Sequence, residues 1–152
     1  MVILDQASKA LVVGSIEPGE LVHVLGPLDF THSHNTGVAF GLAGGGGILV
    51  ILLAAIALVA LGAFIASAPQ SNLTWISGGL ILGGAAGNLI DRIRIGHVTD
   101  FILFPNWPAF NLADCAITVG VVLLAINLIW GEQEKDSDSG GGKPAEGQVD
   151  GT

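Results

Sequence analysis

The longest apolar stretch of the chain covers residues 48–66, ILVILLAAIALVALGAFIA, and holds no charged or strongly polar side chain. At about 1.5 Å per residue, a helix of this length crosses a hydrocarbon core of about 30 Å. Two further stretches, 73–90 and 110–130, are apolar over most of their length but carry polar residues near one end. The pattern predicts three transmembrane helices.

The first fourteen residues have a broken apolar pattern. MVIL precedes Asp5, and ALVVG follows Lys9, so this segment is too short to span a bilayer comfortably. We expect a fourth helix here that is truncated or that begins upstream. A basic region followed by an apolar core and a small-residue cleavage site is lacking, so we expect no cleavable signal peptide.

The segments between the apolar stretches predict a surface layer. Residues 25–47, LGPLDFTHSHNTGVAFGLAGGGG, alternate and are rich in Gly, Thr and Asn, which is typical of short strands and turns. The short link SAPQSN makes the helices on either side antiparallel neighbours, so residues 30–47 and 88–111 should meet at one membrane face. The predicted fold is an all-α integral membrane protein, a four-helix transmembrane bundle with a small β-sheet cradle over the helix ends.

Glycines and the C-terminal composition refine this architecture. Gly79, Gly83 and Gly87 recur every four residues, which predicts a close-packed helix face in lipid. Residues 132–152 hold six acids and two bases with almost no apolar residue, so we expect a disordered, solvated tail. Residues 1–131 then form the membrane-embedded domain.

Composition agrees with a lipid environment. The 152 residues are 51% hydrophobic and 12% charged, against about 25% charged in an average soluble domain. Five Lys and Arg residues against thirteen acids speak against a nucleic-acid partner. Cys115 is the single cysteine, so it forms no intrachain disulfide and is expected to behave as a small buried apolar group.

Charge is concentrated at the end of the third predicted crossing. Residues 30–90 contain no Asp, Glu, Lys or Arg, and then GNLIDRIRIGHVTDFI supplies five charged or titratable side chains within ten residues. Asn88, Asp91 and Arg92 lie on one side of a final helical turn, and Asn111 and Asp114 stand three apart at the start of the next crossing. Antiparallel packing brings these groups to one depth, facing the bundle interior or a wet cavity.

Two of the seven acids in the body of the chain stand out. Asp5 has Lys9 one turn away and Asp91 has Arg92 beside it, so both are expected to be ionised and structural. Three others lie in the polar connecting segment, which leaves Asp100 and Asp114 at a membrane boundary without a nearby base. Two adjacent carboxylates in a low-dielectric site share one proton, which suits them to peptide hydrolysis. The acids in the connecting segment are Glu17, Glu20 and Asp29.

Other interpretations of these residues stay open. Intramembrane aspartates also bind ions, relay protons or cap helices, so a small channel or transporter and a non-catalytic anchoring subunit are alternatives. His32 and His34 would share a strand face near His97, where a metal is conceivable, although ordinary surface histidines are favoured. We therefore expect no metal and no cofactor.

The chain resembles lipoprotein signal peptidase, the signal peptidase II family, in five blocks that occur in the family's order and in a membrane context. They are DQASK at 5–9, NTGVAF at 35–40, GNLIDR at 87–92, GHVTDFI at 96–102 and FNLAD at 110–114. The chain departs from the family in its short apolar stretch before the DQ block, and neither Arg94 nor the histidine pair before Asn35 belongs to the motif.

The resemblance implies an aspartyl peptidase of the bacterial plasma membrane, acting on the extracytoplasmic side. Such an enzyme removes signal peptides from prolipoproteins, cutting before a cysteine that carries diacylglycerol. By motif match the catalytic residues are Asp100 and Asp114. Prolipoprotein and membrane lipid are the expected partners, and we expect a monomer. The substrate-lining positions are Asn35, Asn88, Arg92 and Asn111, and the supporting positions are Asp5, Lys9 and Asp91.

Overall fold

A computed structural model describes residues 1–37, 46–68 and 71–139 of the chain. In these ranges the chain forms four helices and three strands. Their order is α1 (Val2–Ser15), β1 (Leu21–Leu25), β2 (Leu28–Asn35), α2 (Gly46–Ser67), α3 (Asn72–Ile95), β3 (Val98–Leu103) and α4 (Leu112–Ser139).

Three of the described helices are long and apolar enough to cross a membrane, as the sequence predicts. The candidate spans are Ile48–Ser67, Asn72–Ile95 and Leu112–Ile129. The first has a mean hydropathy of 3.2 with only 6% of its residues buried inside the protein, so nearly all of its apolar surface is available to lipid. The chain is a multi-pass membrane protein. Helix α1 has fourteen residues, fewer than a span needs.

Helices α3 and α4 pack closely because glycines lie between them. A Cβ atom added at Gly84 would lie 2.6 Å from the Ala113 carbonyl oxygen, and one added at Gly120 would lie 2.8 Å from the Ser77 carbonyl oxygen. The sequence placed Gly79, Gly83 and Gly87 on a close-packed helix face. This prediction is wrong at Gly79, which is exposed with open space around it. Periodicity identified the helix but not the side that α4 covers.

The three strands form an antiparallel sheet in the order β1-β2-β3. Its apolar core joins Val12 and Ile16 from α1 and the segment after it to Phe101 of β3. The register pairs Ser33 with Asp100 and therefore places the end of β2 beside this carboxylate. The predicted strands are confirmed for residues 28–35, while the glycine-rich residues 38–45 of the predicted segment lie outside the described residues.

Helix α4 continues to Ser139. Residues 132–139, predicted to belong to a disordered tail, are therefore helical, because this short acidic stretch extends a helix that is already nucleated by the apolar residues before it. The rest of the predicted tail, 140–152, lies outside the described residues.

Candidate active site

Asp114 is fixed by the cap of helix α4. Its backbone N–H donates to Asn111 Oδ1 at 3.1 Å, and its own Oδ2 accepts the Asn111 backbone N–H at 3.1 Å. This reciprocal pair is a capping box, which satisfies two donors at the start of the helix. Asn88 of α3 donates its Nδ2 to the other carboxylate oxygen of Asp114 at 2.8 Å. Asp114 is therefore both a cap residue and the most accessible carboxylate of the cluster, being half-buried.

Asp100 lies in β3, almost completely buried at 2% exposure. Its Oδ1 accepts the Nδ2 of Asn111 at 2.7 Å, and its Oδ2 accepts the Nδ2 of Asn35 at 2.9 Å. Both amide orientations are set by other bonds, because Asn35 Oδ1 accepts Gly37 N–H and Asn111 Oδ1 accepts Asp114 N–H. The strand, the cap of α4 and the end of β2 thus position one carboxyl group.

Burial raises the pKa of Asp100 above its usual value. The hydrogen bond from Asn35 opposes this rise, the charge of Asp114 adds to it, and the bond from Asn111 and the charge of Lys9 oppose it. Burial wins because a carboxylate loses more hydration than two amide donors restore. Asp100 is therefore easier to protonate than an aspartate in water.

Asn88 connects this pair to a buried cation. Its Oδ1 accepts hydrogen bonds from Lys9 Nζ at 2.9 Å and from Asn111 Nδ2 at 3.1 Å, while its Nδ2 donates to Asp114. The amide oxygen and the amide nitrogen of both Asn88 and Asn111 are thus bonded to other groups of the site. An unbroken chain of bonds runs from Lys9 to both aspartates.

Lys9 sits between two carboxylates at 4% exposure. Its Nζ lies 2.8 Å from Asp5 Oδ2 and 2.8 Å from Asp91 Oδ2. Asp5 also accepts the Ala113 backbone N–H at 3.1 Å, which ties α1 to the start of α4. Asp91 accepts the Thr99 backbone N–H at 3.4 Å, which ties α3 to β3. The cluster of Asp5, Lys9 and Asp91 therefore connects α1, α3, β3 and α4.

Arg92 does not pair with Asp91, contrary to the expectation from their adjacency. Asp91 is occupied by Lys9 and by Gln6 Nε2 at 2.8 Å. Successive side chains on a helix point about 100° apart, so Arg92 does not face the side of the helix on which Asp91 lies. Arg92 Nη1 makes a 3.4 Å bond to the Asn88 carbonyl, and its Nε is the buried side-chain polar atom left without a partner among the described residues.

The structure brings the predicted site residues together. The two aspartates, the three asparagines and the Asp5–Lys9–Asp91 cluster form one connected network, with Arg92 at its edge. Sequence reasoning missed Gln6, whose Nε2 reaches Asp5, the Gly87 carbonyl and Asp91. Its place between Asp5 and Lys9 in the DQ block was the available signal.

The histidines and the cysteine lie apart from this network. His32 and His34 are hydrogen-bonded to each other at 3.1 Å on one side of β2, and His97 stacks on His34. Across the described ranges, no group of three or more His, Cys, Asp and Glu side chains could hold a metal ion. Cys115 is half-buried beside Asp114.

Comparison with known proteins identifies relatives over most of the chain. The profile of the family described as Signal peptidase (SPase) II matches residues 1–130. The lipoprotein signal peptidase of Moorella thermoacetica is 41% identical over 137 residues, 88% of this chain and 91% of its own, and that of Syntrophomonas wolfei is 44% identical over 137 residues, 89% and 92% of the two chains. A bacterial membrane enzyme solved by the in meso method at 1.9 Å resolution superposes with a TM-score of 0.76 at 34% identity, covering 84% of this chain and 86% of its own.

Proposed function

The chain belongs to the signal peptidase II family, and from this premise we propose that it is an intramembrane aspartyl endopeptidase that removes signal peptides from prolipoproteins. It cuts the peptide bond before the diacylglyceryl-modified cysteine. Asp100 and Asp114 carry the reaction, and the substrate chain is held by Asn35, Asn88, Arg92 and Asn111.

The observation that carries this proposal is the shared use of Asn111 by both aspartates. Its side-chain Nδ2 donates to Asp100 at 2.7 Å and its backbone N–H donates to Asp114 at 3.1 Å. The two carboxyl groups therefore bind to neighbouring donors of one residue, although one belongs to a strand and the other to a helix N-terminus. Carboxyl groups held this way can share one proton. A purely capping role for Asp114 gives no reason for a second buried carboxyl group beside it.

The unequal environments of the two carboxyl groups divide the roles. Asp114 is the more accessible and acts as the base: its carboxylate takes a proton from water as the water oxygen bonds to the scissile carbonyl carbon. Burial is the main cause of the raised pKa of Asp100, and Asp100 donates its proton to the carbonyl oxygen. The tetrahedral diol then collapses, the C–N bond breaks, and the departing nitrogen takes a proton from the pair.

Arg92 supplies the substrate contact that the network itself leaves open. Its Nε is buried and has no partner among the described residues, and its Nη1 bond to Asn88 is long at 3.4 Å. Leaving a guanidinium N–H unbonded costs free energy, so an incoming peptide carbonyl would bind there favourably. Arg92 thus orients the substrate backbone, while Lys9, Asp5 and Asp91 hold the frame.

The membrane placement follows from the same elements. Helix α1 joins the three spans as the fourth member of the bundle through its contacts with α3 and α4, and residues 1–131 form the catalytic unit. The site lies at the C-terminal end of α3 and the N-terminal end of α4, which we assign to the extracytoplasmic face of the bacterial plasma membrane. There a lipid-bearing cysteine and water both have access. The enzyme acts as a monomer and without a cofactor.

Cleavage of a lipid-modified prolipoprotein by the purified chain in detergent tests the proposal. Asp100→Asn and Asp114→Asn should each lower the cleavage rate by about 10²- to 10⁴-fold, because each removes one proton-transfer group. Asp29→Asn is the matched control: it changes an acid of β2 that is paired with His23 at the sheet surface, and cleavage should persist. Normal cleavage by either catalytic variant would refute the assigned roles.

A further inference from the structure

Three imidazole rings pack in a row at the end of strand β2, with His32 and His34 edge to face and His34 and His97 tilted, and we call this row the histidine stack. His32 Nε2 and His34 Nε2 are 3.1 Å apart, and the ring centroids of His34 and His97 are 4.0 Å apart with a tilt of 34°. His97 belongs to the turn between α3 and β3. The stack therefore links β2 to the turn that leads into the strand of Asp100.

The hydrogen bonds fix the protons of the neutral stack. His32 Nδ1 lies 3.0 Å from the Ile16 carbonyl oxygen, which can only accept, so Nδ1 carries the hydrogen. The Nε2 of neutral His32 is then an acceptor, and His34 Nε2 is the donor to it. The pair has one N–H between two nitrogens.

Asn35, the next residue after His34, is the last residue of β2 and is exposed. Its amide nevertheless supplies one of the two hydrogen bonds to Asp100. The final residue of a strand has few contacts and frays readily. Pairing of His34 with Thr99 and of Asn35 with Val98 holds this strand end to β3. The contacts of the His34 ring with His97 and with the buried His32 add a side-chain attachment just before Asn35.

We propose that His34, held between His32 and His97, is a positioning residue for Asn35, and that a second proton on this histidine cluster releases Asn35 from Asp100. The consequence for cleavage rests on the proposed function. The consequence for the strand end does not.

The first and second protons have different effects. One added proton keeps an N–H between His32 and His34, because the charged ring still donates to the neutral one. When His32 and His34 are both charged, hydrogens stand on both Nε2 atoms, which face each other at 3.1 Å, and the bond is lost. A charge on His97 would also meet a charged His34 across the stack. Reduced contact with water is the largest cause that lowers the pKa of His34, and the charges of His97 and then His32 lower it further.

The sign of the pH effect follows. A histidine whose pKa is lower in the folded than in the unfolded chain contributes stability above its unfolded value of about 6.5, and this stability is lost as the pH falls from there through the lower folded pKa. We therefore expect loosening on the acidic side of neutrality.

Other charged groups around the stack have partners elsewhere. Glu17 and Glu20 lie in the exposed segment packed on His32, with the Glu20 carboxylate accepting the Glu17 backbone N–H at 2.8 Å. Asp100 of the paired strand is engaged by Asn35 and Asn111. At the end of α3, Arg94 reaches Gln6 at 3.4 Å.

The test compares the wild-type chain with His34→Phe and His23→Phe between pH 4.5 and 8. His34→Phe keeps a flat ring against His97 but removes the titration and the bond to His32. His23→Phe changes an exposed histidine of β1 that pairs with Asp29 and serves as the matched control. Two readouts are followed: the NMR shift of the Asn35 side-chain amide in detergent, and the rate of prolipoprotein cleavage.

We expect the wild-type amide signal to shift with the histidine titration and cleavage to fall about tenfold for each pH unit in the same range. His34→Phe should lose the amide shift and should keep its cleavage activity to lower pH than the wild type, whereas His23→Phe should keep both wild-type changes. An amide shift or a wild-type acid limb that persists unchanged in His34→Phe, or an amide shift that disappears in His23→Phe, overturns the inference. If no variant cleaves at any pH, the proposed function fails, and the amide titration alone decides the positioning role.

Discussion

Replacing Lys9 by Met tests the buried cluster that joins the four elements. The substitution nearly preserves side-chain length but removes the cation from two carboxylates that are 0% and 5% exposed. Asp5 Oδ2 and Asp91 Oδ2 each lie 2.8 Å from Nζ, so these oxygens are at most about 5.6 Å apart. At an effective dielectric constant of about 20, two unit charges at that separation repel by roughly 3 kcal/mol.

The total cost exceeds the repulsion alone, because the bond to Asn88 is also lost. Removing one partner of a buried ion pair costs about 3–5 kcal/mol. For a chain of this size each kcal/mol lowers the unfolding temperature by roughly 2–4 °C, so we expect a fall of about 6–20 °C. The measurement is thermal unfolding in detergent, followed by circular dichroism.

Two further variants and a pH series separate charge from packing. Arg94→Met, at an exposed residue with a single long bond to Gln6, should change stability by less than about 0.5 kcal/mol. Lys9→Met with Asp91→Asn removes the repulsion and should recover a large part of the loss. Lys9→Met should also regain stability as the pH falls, because protonation of one carboxyl group relieves the repulsion. A Lys9→Met chain that unfolds near the wild-type temperature, or whose deficit is independent of pH, would refute the ionic explanation.

Three further predictions concern packing, the far end of the bundle and the Asp100 proton. Gly84→Ala places a Cβ 2.6 Å from a backbone carbonyl and should cost about 1–3 kcal/mol in thermal unfolding, whereas Gly79→Ala, in open space, should be neutral or stabilising; equal effects would contradict the packing assignment. Asn127→Leu removes the bonds of α4 to Ser71 and to Thr74 Oγ1 at 3.1 and 3.0 Å and should lower stability by about 0.6–1.7 kcal/mol, leaving the pH dependence of cleavage as it was. Asn35→Ala removes the hydrogen bond that lowers the pKa of Asp100, so the alkaline limb of the cleavage profile, where Asp100 loses its proton, should move to higher pH; a limb that stays or moves down would contradict the assignment of Asp100 as the acid.

Much of the site could be predicted because polar and charged side chains at the end of a membrane helix cost free energy unless they are bonded inside the protein. Asparagine, aspartate and arginine at the end of an apolar helix need partners within the protein, and the helical spacing of Asn88 and Asp91 and of Asn111 and Asp114 indicated which sides they share. The five ordered blocks added the identity of the family, which the comparisons confirm. The assignment of Asp100 and Asp114 as the catalytic pair stays a prediction.

Pairing across the sequence could not be anticipated in the same way. Adjacency suggested Arg92 as the partner of Asp91, yet Lys9, 82 positions earlier in the chain, takes that place. Gln6 was overlooked because its place in the DQ block, although a signal, does not show that its side chain reaches Asp91 rather than lipid. Likewise, the four-residue glycine repeat indicated a close-packed face but not that Gly79 is exposed and Gly84 meets α4.

The sequence by itself determined which segments are long and apolar enough to cross the membrane, where polar groups are concentrated and which side chains are candidates for chemistry, because these depend on local composition and on the cost of placing charge in lipid. Only the tertiary structure decided which groups touch: that Lys9 neutralises Asp5 and Asp91, that Asn111 serves both aspartates, and that Arg92 Nε is left open. Contacts between distant segments depend on the rotation and depth of each helix and on strand register, which are fixed by packing across the whole bundle rather than by neighbours along the chain.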